Sequence, residues 1–203
     1  MKIRALDDAG AYPGRAPFQL AKPISAIVGP YRINSVKYEA ISVTTNKTGQ
    51  VPVRGFGQSP TNYMIEAAVD KVAAHLGMDR IEIRRRNLIN HDEFPYRIPS
   101  GSNYDSGDYH AVLDKVLDAG RILLAAEMLG GIQECFERTI EYLKTREQFG
   151  VPIGSFQALK HRAAEMFCEV ELSKSVVLEA LSALDEDSEQ IAELASLAKA
   201  RLN

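Results

Sequence analysis

Arg54, Gly55, Phe56 and Gly57 put a guanidinium and an aromatic ring on a loop with two glycines, just ahead of an apolar-periodic stretch. Glycine removes the side chain that would obstruct approach, and a helix end favours negative charge, so such a loop can bring backbone amides close to an anionic or oxo-rich group. The same residues would suit a plain strand-to-helix turn, with Phe56 in a core and Arg54 on a carboxylate. A second constellation is Arg146, Gln148, Phe149 and Gln157. A helix ends there, Phe149 and Gly150 turn the chain, and Gln157 returns on the first turn of the next helix. One corner thus presents a cation, two amides and an aromatic ring, a set that could grip a pyrophosphate by charge-assisted hydrogen bonds and shelter an adenine ring. The alternative is an arginine on helix C-terminal carbonyls and a phenylalanine in a bundle core.

Other chemistries find less support. Cys135 and Cys168 are the only cysteines of the 203 residues. Both stand among apolar helical positions, so they are expected to be buried packing residues in a reducing compartment, not part of a disulfide framework or a zinc site. His75, His91, His110 and His161 lack paired metal-ligand spacing, so no metal site is expected. The net charge of −3 and the short run Arg84-Arg85-Arg86 argue against nucleic acid as a partner. No apolar stretch has the length of a membrane span, and the N-terminus lacks the order of a secretory signal, so a cytoplasmic location is expected.

The elements that must position these residues change character near residues 118–121. Eight of the nine prolines precede Asp118. Residues 1–118 carry a formal charge of +2 and residues 119–203 one of −5. Before the seam, Ala26-Ile27-Val28 and Lys37–Val43 read as strands. Ser59 reads as the N-cap of a helix with Pro60 in its first turn, carrying Met64, Ala68, Val72 and Leu76 as its apolar stripe and ending at Gly77. Asp79 and Glu82 read as a capping box opening a shorter helix, and residues 90–107 as a loop. Beyond, Leu124, Met128, Ile132, Phe136, Ile140 and Leu143 trace a helical stripe, so one helix is expected from about Tyr109 to Thr145. Gly130 and Gly131 within it suggest close packing against a neighbour. A turn at residues 150–154 leads to a second long helix capped by Ser155 and carrying Leu159, Ala163, Met166, Val170 and Val177. Asp185-Glu186-Asp187 suits the N-terminal end of a third. The expected fold is an α+β N-terminal fragment, residues 1–118, followed by an all-α antiparallel helical bundle, residues 119–203.

Several phrases of the first part carry a family resemblance: Asp8-Ala9-Gly10-Ala11-Tyr12, Gly29-Pro30-Tyr31, Thr45-Asn46-Lys47, the Arg54 loop, Gly77-Met78-Asp79, Arg84–Leu88 and Tyr104–Tyr109. With them, residues 1–118 resemble the molybdopterin-binding large subunit of the xanthine dehydrogenase and aldehyde oxidase family. That family hydroxylates aldehydes, aromatic heterocycles or carbon monoxide at a molybdenum centre. The resemblance implies that Arg54, Gly55, Phe56 and Gly57 would lie at the molybdenum ligands, with Phe56 beside the substrate. In the family this segment is a small part of a much longer subunit, and no residue here matches its catalytic glutamate.

The second part carries Ala125–Gly131, Tyr142–Arg146, Gln148-Phe149-Gly150, Phe156–His161 and Ala164-Glu165-Met166. These resemble the C-terminal helical domain of acyl-CoA dehydrogenases. The resemblance implies dimers or tetramers in which residues matching Arg146, Gln148, Phe149 and Gln157 contact FAD bound largely by a neighbouring subunit. The flavin would take a hydride from an acyl-CoA after a glutamate removes the α-proton. The chain stops at Asn203, within what reads as the third helix, so the downstream flavin segment and that glutamate are not matched. Where some relatives place the base near the start of the first helix, Gly120 stands here.

No catalytic residue is therefore assigned. The expected functions are an oxidoreductase-derived fusion with partial FAD and molybdopterin sites, handling an acyl-CoA, an aldehyde or a heterocycle only when completed by other subunits; a non-catalytic helical module that forms a homo-oligomer; or an accidental fusion of gene fragments.

Overall fold

The computed structural model describes residues 1–51 and 53–203. They form two compact units, Met1–Ala111 and Val112–Asn203.

In the N-terminal unit, β1 (Lys2–Asp8) pairs in parallel with β2 (Lys37–Val43), Lys2 opposite Lys37 and Asp8 opposite Val43. The run 37–43 is a strand as its alternation predicts. β1 was not expected, because Lys2, Arg4, Asp7 and Asp8 mask the alternation and only Ile3 in it is fully buried. Residues 26–28 are not a strand: a 3₁₀ turn at Lys22–Ala26 follows the short helix α1 (Phe18–Ala21), and Ile27 and Val28 enter the core from the turn after it. Burial alone made these three residues look like a strand. Ile27 and Val28 cluster with Ile3 and Ile98, and Met64 and Tyr38 pack against them.

Helix α2 spans Gln58–Leu76 and stops at Gly77 (φ +63°), as predicted. Its start differs. Gly57 (φ +85°) holds the cap position with no side-chain cap, and Ser59 already lies in the first turn. Its buried residues are Ile65 and Ala73, while Val72 and Leu76 of the expected stripe are about half exposed. Asp79 caps α3 (Arg80–Asn87), accepting from the amides of Ile81 at 2.8 Å and Glu82 at 2.9 Å. These bonds hold its carboxyl below the usual range. Glu82 leaves the expected capping box to pair with Arg86 one turn on, at 2.6 Å.

Arg84 ties α3 to α2 by reaching Glu66 at 2.7 Å and Asp70 at 2.8 Å, and Glu66 accepts from the Tyr31 hydroxyl at 2.7 Å. Burial opposes the Arg84 charge, but the two carboxylates outweigh it and raise its pKa. The segment read as a loop holds a small antiparallel pair, β3 (Tyr96–Arg97) and β4 (Asn103–Tyr104). Tyr104 donates to the Gly29 carbonyl at 3.1 Å, and its burial pushes the phenol up to about 12.

The C-terminal unit is helical. Helix α4 (Tyr109–Thr145) has the expected bounds. A tight pair, β5 (Glu147–Gln148) with β6 (Val151–Pro152), turns the chain into α5 (Gln157–Asp185), and α6 (Ile191–Leu202) follows. Lys115 meets Asp187 at 2.9 Å and Phe136 meets Phe167 with ring centroids 6.1 Å apart, so α4 and α5 run antiparallel. Ser155 does not cap α5: its hydroxyl bonds the Pro152 carbonyl at 2.7 Å, and Phe156 holds the cap position. Asp185 ends α5 instead of opening the third helix, which begins after Gln190.

The core joins Ile122, Ala125 and Leu129 of α4, Val177, Ala180 and Ala183 of α5, and Leu194, Ala195, Ala198 and Leu202 of α6. Alanine lets helix backbones approach closely, so small side chains carry much of this packing. Arg201 near the end of α6 pairs with Glu169 of α5 at 2.6 Å. Beyond that level no third helix accompanies α4 and α5 among the described residues, and Cys135 and Cys168 are exposed instead of buried. A Cβ on Gly130 or Gly131 would meet nothing within 4 Å because both lie on an open face of α4, so the close packing expected there is not found within the described residues.

Candidate functional site

The Arg54 loop is built from two successive turns. The Phe56 amide donates to the Val53 carbonyl at 2.9 Å and the Gln58 amide to the Gly55 carbonyl at 3.0 Å. Gly55, Phe56 and Gly57 all have positive φ, at +102°, +45° and +85°. For phenylalanine this is a strained conformation, of the kind that concentrates at ligand-facing segments. The glycine at 57 has a specific use. A Cβ there would lie 2.0 Å from the Gln19 carbonyl oxygen, so only glycine lets the loop sit against α1. Close approach at this position thus serves the chain itself.

Phe56 is half-buried with the Lys22 ammonium 5.7 Å from its ring centroid, a cation–π contact. Arg54 is exposed and has no ion pair among the described residues, so the carboxylate partner that a plain turn would supply is not found. Nearby in sequence to β2, Thr45 and Lys47 hold Asp8 at 2.6 and 2.9 Å and keep its carboxyl below the usual range. Lys22 and its neighbour Arg15 escaped the sequence reading, because nothing in their spacing announces that α1 folds back on residue 57.

At the second corner, the Ile153 amide donates to the Arg146 carbonyl at 2.7 Å, locking the end of α4 to the turn before α5. A Cβ on Gly154 would lie 2.7 Å from the Leu143 carbonyl oxygen, so glycine is needed for that contact too. Phe149 adopts φ +56° and is 93% exposed, with its ring edge-on to Phe156 at 6.1 Å. It is not in the bundle core. Arg146, Gln148 and Gln157 are exposed as well. The guanidinium of Arg146 has no acceptor among the described residues, and the Gln148 amide donates only to the Glu147 carbonyl at 2.9 Å. All four residues occupy the hairpin and the adjoining helix ends.

Among the described residues no three His, Cys, Asp or Glu side chains gather as a metal-binding group. No described helix is long and apolar enough to cross a membrane.

Comparison with known proteins separates the two halves of the chain. Residues 1–88 match the molybdopterin cofactor-binding domain, and residues 110–203 match the acyl-CoA dehydrogenase C-terminal domain. The carbon monoxide dehydrogenase large chain of Hydrogenophaga pseudoflava is 43% identical over 126 residues, which are 59% of this chain and 15% of that protein. The acyl-CoA dehydrogenase IpdE2 of Mycobacterium tuberculosis is 48% identical over 68 residues, 34% of this chain and 21% of that protein. The crystal structure of quinoline 2-oxidoreductase from Pseudomonas putida 86 is similar with a TM-score of 0.50 and 28% identity, over 69% of this chain and 17% of that one. The chain therefore spans about a fifth or less of the length of these relatives. One polypeptide here joins a segment similar to the molybdopterin-binding large subunit of the xanthine dehydrogenase and aldehyde oxidase family to a segment similar to the C-terminal domain of the acyl-CoA dehydrogenases.

Proposed function

We propose that this chain is an oxidoreductase-derived fusion that keeps one contact surface for FAD and another facing molybdopterin, and that it does not catalyse alone. The observation that carries the flavin reading is Phe149. Phe149 is 93% exposed on strained backbone, its ring meeting only the edge of Phe156, and it stands beside a guanidinium that has no acceptor among the described residues. These residues fit an adenine and a pyrophosphate: the ring offers an apolar face, Arg146 offers charge, and Gln148 and Gln157 offer amides. When bound, the flavin supplies hydride transfer; the residues of this chain hold its far edge. For molybdopterin, Arg54 has no ion pair among the described residues and the first turn of α2 lacks a side-chain cap, which fits an anionic or oxo-rich group.

Acyl-CoA, aldehyde or heterocycle chemistry then belongs to assemblies in which other subunits provide the base and the pocket. The exposed thiols of Cys135 and Cys168 suit a reducing, cytoplasmic setting. Our reading puts the junction between Asp118 and Ala119, inside α4. Titrating the purified chain with FAD tests the flavin reading. Quenching of flavin fluorescence that weakens at least tenfold in Arg146→Ala supports it, and binding unmoved by that change rejects the contact.

A second reading, homo-oligomerisation through the helices, is favoured by Leu123, Met166, Phe167, Leu172 and Leu178, which are all at least 41% exposed on one helical unit. Light scattering tests it: a dimer or tetramer is expected, and a strict monomer at micromolar concentration refutes it.

A further inference from the structure

A cavity of about 490 Å³ lies in the N-terminal unit, and Pro30, Asn62, Ile65, Glu66, Tyr104 and Tyr109 contribute to its walls. It shares no residue with the Arg54 loop or with the corner at residues 146–157. No lysine, arginine or histidine lines it among the described residues, whereas Glu66 brings a carboxylate. That carboxylate is held but not saturated. Its Oε2 accepts from Arg84 Nε at 2.9 Å and Nη2 at 2.7 Å, while its Oε1 accepts only from the Tyr31 hydroxyl at 2.7 Å, which leaves Oε1 room for another donor. Arg84 is itself shared, since its Nη1 reaches Asp70 at 2.8 Å, and the other cation near Asp70, Arg80, stands at 3.6 Å and is 73% exposed. Two carboxylates thus share one firmly held guanidinium, and the exposed one compensates weakly. The rings are fixed as well. Tyr104 is tied by its hydroxyl to the Gly29 carbonyl at 3.1 Å, Phe94 stands edge-on to Tyr109 with centroids 5.6 Å apart, and a Cβ on Gly107 would lie 3.2 Å from the Phe94 ring and 3.4 Å from that of Tyr109. The Asn62 amide and the Tyr109 hydroxyl have no hydrogen-bond partner among the described residues. The cavity therefore joins an acceptor with spare capacity, two unpaired polar groups and a preset aromatic wall, and its volume falls in the range of small-molecule sites.

We propose that this cavity binds a protonated arylalkylamine, a primary ammonium carried on an aromatic ring. The ammonium donates to Glu66 Oε1 and to the side-chain oxygens of Asn62 and Tyr109, which matches its three hydrogens. Its ring lies against Pro30, Ile65 and the tyrosine rings. Each part of the ligand answers one part of the lining: an alcohol of the same shape forgoes the charge-assisted bonds, a small ammonium leaves the apolar wall in water, and an anion meets Glu66 with no cation in the lining to receive it. The faces of Tyr104 and Tyr109 add attraction for positive charge. The binding needs no redox cofactor and involves no covalent step. It is independent of both cofactor surfaces, because none of its residues belongs to either.

The test is NMR titration of the full chain, free of cofactor, with 2-phenylethylamine, the neutral 2-phenylethanol, the anionic 3-phenylpropanoate and the ringless ethylamine. Amide shifts of Gly29, Ile65 and Glu66 locate the binding. The phenylethylammonium is expected to bind saturably and about tenfold more tightly than each of the other three. Asn62 is exposed on α2, so its substitution spares the fold. Asn62→Lys sets a cation in the wall and is expected to weaken binding about tenfold, whereas Asn62→Asp adds an acceptor charge and is expected to tighten it about threefold. Glu66→Gln should weaken it as Asn62→Lys does; should that variant fail to fold, the two substitutions at Asn62 decide alone. Equal binding of the alcohol, of phenylpropanoate or of ethylamine, binding unmoved in Asn62→Lys, shifts confined to the Arg54 loop, or no saturable binding of 2-phenylethylamine would overturn the proposal.

Discussion

The N-terminal unit is organised by polar pairs and by glycine-dependent contacts between backbones, whereas the C-terminal unit is organised by small apolar side chains along three helices. In the first, Arg84 spans two helices to two carboxylates, and Gly57 meets Gln19 at backbone distance. In the second, five alanines stand among the ten core residues, and a Cβ on any glycine inside α4 would meet nothing within 4 Å. The same residue type therefore has opposite meanings in the two regions. Glycine is obligatory where it admits a backbone neighbour and merely tolerated where it sits on an open helix face.

Substitutions can break or sharpen that contrast. The largest effect is expected at Gly57→Ala, where positive φ and a clash with Gln19 combine to destabilise the N-terminal unit by about 4 kcal/mol, read from the denaturant midpoint. A loss below about 1 kcal/mol would show that α1 moves away cheaply. Ile122→Ala opens a cavity in the helical core and should cost about 3 kcal/mol by the same measurement. Arg84→Met should cost about 2 kcal/mol, discounted because Glu66 and Asp70 are partly exposed; an unchanged midpoint would demote the polar network to decoration. Gly130→Ala carries the smallest change and the opposite sign, a gain of about 1 kcal/mol in the dissociated chain. If the same substitution also weakens self-association in light scattering, the open glycine face is where a second copy packs.

Much of the architecture could be read from residue patterns, and the failures have a common physical origin. Gly77 at the end of α2 and Asp79 at the start of α3 are legible because capping is local chemistry, whereas the caps expected at Ser59 and Ser155 give way to Gly57 and Phe156. The stripes of large apolar residues located α2 and α4 but misjudged their buried faces. Ala73, Ala125, Ala180 and Ala198 are weak signals in a hydropathy pattern and strong ones in packing. The charged residues of β1 hide its alternation, and the β-branched pair Ile27 and Val28 predicts a strand although a 3₁₀ turn delivers both to the core, because burial by tertiary contact resembles strand composition. The burial expected for Cys135 and Cys168 failed for want of a third helix at their level, a fact of topology that no local window contains. At the candidate sites, residue types on single turns were legible, while the partnership of Arg15 and Lys22 with Phe56 depends on a fold-back that only the structure reveals.

The central claim is that the corner formed by residues 146–157 is a cofactor contact and not a bare hairpin. Hydrogen exchange of the whole chain with and without saturating FAD measures this directly. The account predicts slower exchange in peptides covering residues 146–157, with the effect lost in Arg146→Ala; identical exchange in those peptides with and without FAD would contradict it.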